Sequence, residues 1–84
     1  MPQPWGQKVT LHYTIPTSGP VVITVFDFKG DIVDILQRGR QEEGDYSTTW
    51  DGKNRGGRNV ARGVYFIKVV APGIDEIRKV LVVR

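Results

Sequence analysis

The chain has 84 residues, 12 of them lysine or arginine against 9 aspartate or glutamate, a net charge of +3 and no cysteine. That length makes one domain with a modest core, burying roughly 60–65% of its unfolded surface. Thiol catalysis, thiolate metal sites and disulfides are excluded, so stability rests on packing. No run comes near the roughly 20 apolar residues of a membrane-spanning helix. The opening M-P-Q-P-W-G lacks the basic-then-apolar pattern of a signal peptide. An exported domain of this kind is expected to take its leader from a longer parent, or to have been cut out of one with Met1 added.

Residues 1–7 read as a proline-rich lead-in whose only large apolar group, Trp5, is expected to lie against the edge of a domain spanning 8–84. Lys8 to Ile15 alternates cleanly, with Val9, Leu11, Tyr13 and Ile15 on one face, as a half-buried strand does. Pro16 to Pro20 is a turn. Val21 to Asp27 is a second strand with Val21, Ile23 and Val25 inward and Phe26 outward or at an edge. Asp27 to Gly30 turns the chain, Gly30 taking the left-handed position. Asp31 to Leu36 is the third strand, but Val33 to Leu36 breaks the period of two. A bulge or twist explains this, with a six-residue helix as the alternative. Gln37 to Gly44 reads as a charged loop, and Asp45 to Trp50 alternates again with Tyr46, Thr48 and Trp50 on one face.

The stretch from Trp50 to Tyr65, W-D-G-K-N-R-G-G-R-N-V-A-R-G-V-Y, organises the rest. Asp51 before Gly52 ends the strand in a tight turn, and Asn54 with Gly56 and Gly57 offers further left-handed positions. A loop this long needs an inward anchor, and Val60 is the candidate. Gly63 readmits the chain to the sheet. Val64 to Ala71 is strongly strand-like, with Tyr65, Ile67 and Val69 inward. Pro72 to Ile74 turns it back into a last strand, Glu76 to Arg84, in which either Val80 and Val82 or Leu81 and Val83 fill the core. Six or seven short strands at regular spacing, with no helix and no repeat, predict an antiparallel β-sandwich.

Catalysis finds no foothold. Ser18 and Ser47 lack a G-x-S-x-G elbow and a neighbouring base, and His12 alternates with lysine and threonines as a solvated strand residue. The pairs Asp31/Asp34 and Glu42/Glu43 do not form the facing carboxylates of a glycosidase. Asp51, Asn54 and Asn59 could offer oxygens to a hard cation, but Lys53, Arg55 and Arg58 in the same loop would repel it. No metal, cofactor or small-molecule substrate is therefore expected. Arg38 and Arg40 form one cationic group and Lys53, Arg55, Arg58 and Arg62 another, placed on either side of a strand and so at opposite ends of the sandwich. They make no nucleic-acid stripe, and the four-cation loop is the better candidate for a protein contact. The apolar last strand, flanked by Lys79 and Arg84, is a second candidate contact as a sheet edge, and Trp5 a third.

Segments spread along nearly the whole chain resemble a known family. They are P-Q-P-W at 2–5, V-T-L-H-Y-T-I-P at 9–16, V-V-I-T-V-F-D-F-K-G-D-I-V-D-I-L at 21–36, G-D-Y-S-T-T-W-D-G-K-N at 44–54, G-V-Y-F-I-K-V at 63–69 and R-K-V-L-V-V-R at 78–84. In this order they are similar to the Ig-like domain of the flagellar hook-capping protein and its relatives, including type A C-terminal sorting domains of type IX secretion. Gln3, Gly6, Gln7, Thr48 and Arg62 depart from the family's usual residues. The resemblance implies an Ig-like, fibronectin III-like sandwich without enzymatic activity, carried by a secreted or cell-surface bacterial protein. Two roles follow as expectations: an export address read by an outer-membrane apparatus, or a structural module packing against neighbouring domains or subunits, as in the hook cap.

Overall fold

The computed structural model describes residues 8–83, so Trp5 with the rest of the lead-in, and Arg84, lie outside the described residues. Alternation at the start of the domain becomes β1 (Val9–Ile15), which buries Leu11, Tyr13 and Ile15 and exposes Thr10, His12 and Thr14. In β2 (Gly19–Phe26), Val21, Ile23 and Val25 are wholly buried. It begins inside the expected turn, because Gly19 packs against the turn at Pro72. A Cβ there would stand 2.6 Å from Pro72 Cγ.

β3 (Ile32–Gln41) corrects the expected loop from Gln37 to Gly44: the strand runs past Leu36 to Gln41, pairing Gln37 to Gln41 with Ile23 to Gly19. Its second half is polar, yet its backbone satisfies the ladder, and an edge position lets the side chains stay solvated. The broken period at Val33 to Leu36 is two bulges. Register shifts between Ile23/Thr24 and between Val25/Phe26 leave Leu36 and Val33 without partners on β2. Each extra residue rotates the strand, and both side chains pack onto the core. The helix alternative is overturned.

β4 (Gly44–Trp50), β5 (Gly63–Ala71) and β6 (Ile74–Val82) complete the set. β1 and β4 form a two-stranded sheet, and the other four are ordered β3-β2-β5-β6, all pairs antiparallel. The chain thus crosses between sheets after β1, β3 and β4. Leu11, Tyr13, Ile15 and Trp50 from the small sheet meet Val21, Ile23, Val25, Tyr65, Ile67, Val69 and Val82 from the large one. The rings of Trp50 and Tyr65 touch across the core with centroids 5.4 Å apart. β6 resolves the open choice at its end, since Val82 is buried and Val80 packs on the core, whereas Leu81 is exposed. The expected all-β sandwich of six or seven strands is present with six, and the described residues contain no helix.

Candidate functional site

The loop from Asp51 to Arg62 is built on Trp50. The indole is wholly buried, and its Nε1–H donates to the Lys53 carbonyl at 2.9 Å, pulling the chain back over the ring. Asp51 Oδ1 accepts the Lys53 amide (3.1 Å), and Gly52 takes the left-handed conformation at φ 76°. Asn54 departs from expectation: among the described residues no non-glycine has positive φ, and within the Asn54, Gly56 and Gly57 set only Gly57 does, at 80°. Asn54 acts through its side chain, Oδ1 accepting the amides of Gly56 (2.9 Å) and Arg58 (3.1 Å). Its own amide donates to the Arg58 carbonyl at 2.8 Å. Val60 is half-buried against the core as expected, and its amide donates to the Gly52 carbonyl at 3.0 Å. The Tyr65 hydroxyl donates to the Ala61 carbonyl at 2.7 Å, and the Arg55 amide to Val33 of β3 at 3.0 Å. The loop is therefore tied to both strands that it lies between and to the edge of the large sheet.

This wiring decides what the loop can do chemically. One carboxylate oxygen of Asp51 and the amide oxygen of Asn54 are spent on backbone amides, and Asn59 is held by a backbone bridge to Lys53. The four cations have no such employment. Arg55, Arg58 and Arg62 are exposed and Lys53 half-buried, and none has an ion-pair partner among the described residues. A loop held in one conformation while presenting unpaired cations is prepared to meet an acidic surface with little ordering cost.

The two cationic groups are not at opposite ends of the sandwich. Arg38 on β3 and Arg55 from the loop line one shallow groove of about 470 Å³ with Asp34 and Gln37, because Arg55 is tied to Val33 beside them. Only Arg40 stays at the far end, paired with Glu42 at 3.7 Å. The sequence could not show this join, which depends on β3 continuing as a strand past Leu36. Lys79 lies on β6 directly across from Phe66 of β5, on the outer face of the large sheet.

A second juxtaposition was hidden in the sequence. His12 stands across from Ser47 in the β1–β4 register, on the exposed face of the small sheet. No hydrogen bond joins them among the described residues, and their neighbours form the cross-strand pairs Thr10–Thr49 (3.3 Å) and Thr14–Asp45 (2.6 Å). Ser18 accepts the Glu43 amide at 3.1 Å as a turn tie.

The family model described as FlgD Ig-like domain matches residues 5–73. Among solved structures, the crystal structure of FlgD from P. aeruginosa is similar, with a TM-score of 0.65 at 24% identity. The match covers 89% of this chain and 59% of that one, so the chain spans about three fifths of the solved protein's length. No curated protein matches the chain.

Proposed function

The chain belongs to the FlgD Ig-like domain family, and from that membership we propose that it is a non-catalytic assembly module, packing against neighbouring domains or subunits of a larger parent protein as hook-cap modules do. The observation that carries this is the family match along residues 5–73. Within that stretch, the hydrogen-bonded loop from Asp51 to Arg62 presents four cations without ion-pair partners among the described residues, a ready protein contact. The export-address reading finds no support in either match, both of which are to FlgD.

Sedimentation of the parent protein tests the assembly role. Converting Lys53, Arg55, Arg58 and Arg62 together to glutamine removes only exposed or half-exposed charge. Exposed ion pairs contribute about 0.2–1 kcal/mol each, so the change is expected to weaken assembly by about fourfold to several hundredfold and to flatten its salt dependence. A parent that assembles identically after deletion of the whole domain overturns the proposal. Surface delivery of a reporter fused upstream, in a host with type IX secretion, would restore the export address in its place.

A further inference from the structure

The two outer faces of the sandwich differ in kind. On the small sheet the exposed positions are Thr10, His12 and Thr14 opposite Thr49, Ser47 and Asp45, all polar. On the large sheet they are mostly apolar. Register places Ile32, Phe26, Phe66 and Lys79 in one row across all four strands, Lys68 and Ile77 with the buried Thr24 in the next, and Val64 with Leu81 beside them. Ile32 is 51% exposed, Ile77 64% and Leu81 60%, while Phe28 in the β2–β3 turn is 77% exposed. Phe26, Phe28, Phe66 and Ile77 enclose an open groove of about 440 Å³, into which Lys68 also faces. A contiguous apolar surface of this kind on a small domain marks an interaction site, and aromatic side chains are the usual anchors of one.

Charge selects the occupant. Neither Lys68 nor Lys79 has a carboxylate partner among the described residues. Asp27 also lines the groove, its Oδ1 accepting the amides of Lys29 and Asp31 at 2.9 and 3.0 Å, and Asp31 pairs with Lys29 at 3.6 Å, so Lys68 and Lys79 outnumber the one carboxylate there that has no cation partner. Asp75 lies at the other end of the face, across from Val70. A second copy of this face would set lysine against lysine on a chain already at +3.

We propose that the outer face of the four-stranded sheet docks a partner protein surface that is apolar at its centre and acidic at its rim, seating an apolar side chain between Phe28 and Ile77 and carboxylates on Lys68 and Lys79. This rests on the assembly reading and names a second contact surface for it, beside the cationic loop.

Two measurements keep the surface and the assembly role separable. In the first, the isotopically labelled chain is titrated with blocked octapeptides of alternating Glu and Leu or alternating Lys and Leu, and amide shifts are followed by NMR. The Glu peptide is expected to move amides of Phe26–Phe28, Phe66–Lys68 and Ile77–Lys79 and to bind about tenfold more tightly than the Lys peptide. Lys68→Glu with Lys79→Glu should invert that preference, and Phe28→Ser with Ile77→Thr, both at exposed positions, should abolish binding. Equal affinity for the two peptides, shifts confined to β1 and β4, or no saturable shift would overturn the surface. In the second, the parent carrying Phe28→Ser and Ile77→Thr is sedimented, and assembly is expected to be lost. Normal assembly of that variant removes the surface and leaves the assembly role standing. Peptide binding as expected in a wild-type parent that never assembles removes the assembly role and leaves the surface.

Discussion

Tyr13 shows at one side chain how the sheets are joined. It leaves β1 into the core, its ring stacks on Tyr46 of β4 with centroids 5.6 Å apart, and its hydroxyl donates to Gln41 Oε1 at the end of β3 at 2.8 Å. Burial holds the phenol neutral and raises its pKa above the ordinary value of about 10, further than the Gln41 hydrogen bond lowers it, and Tyr46 adds a smaller upward push. The folded chain thus keeps a proton that the unfolded chain gives up first as pH rises. Tyr13's contribution is complete below pH about 10 and falls above it. Tyr13→Phe should cost about 1 kcal/mol at neutral pH through the lost hydrogen bond. It should also lose stability less steeply than wild type in alkaline urea titrations. Parallel curves for the two proteins above pH 10 would mean that Tyr13 ionises in the folded state as freely as in the unfolded one.

The strands differ in how plainly their residues announce them. β1, β2 and β5 each bury one face, so the period of two survives in the sequence as Leu11-Tyr13-Ile15, Val21-Ile23-Val25 and Tyr65-Ile67-Val69. The second half of β3 buries little and shows no period, and its existence depends on the backbone of β2 lying alongside. The groove shared by Arg38 and Arg55 was hidden for the same reason, whereas the loop's cations and its Val60 anchor were legible locally. β6 left two choices because four apolar residues in succession fit either face, and pairing with β5 settled it. Val82 faces the core and Leu81 the outside, so Val82→Ala is expected to cost about 2 kcal/mol and Leu81→Thr less than about 0.5, as read by chemical denaturation. Equal costs would place both side chains in the core. Deleting Lys79 to Arg84, to ask whether this strand serves as an export address, would remove Val80, Val82 and their pairing with Tyr65 and Gly63. Truncation therefore tests folding before it tests export, and the exposed Leu81 is the better position for probing contacts of this strand.

For the whole molecule the question is whether a four-stranded sheet and a two-stranded one can part without unfolding. A two-stranded sheet has no stability of its own. Lifting it away would expose Leu11, Tyr13, Ile15 and Trp50, each 8% accessible or less. At about 1.5–3 kcal/mol per side chain the separation costs about 6–12 kcal/mol. That equals the whole stability expected of a domain this size, about 4–13 kcal/mol. The sheets should therefore open only when the molecule unfolds. The second half of β3 is different: Gln37, Arg38, Gly39, Arg40 and Gln41 carry no large apolar side chain, and this edge can peel from β2 with little core exposed. Native-state hydrogen exchange should show ladder amides of β1 and β4 exchanging as slowly as those around Ile23 and Ile67, with Gln37 to Gln41 the fastest of the strand amides. Exchange in β1 and β4 orders of magnitude faster than at Ile23 would mean that the small sheet detaches on its own. The parent would then be held by a domain that opens, and its contacts would have to lie on the large sheet alone.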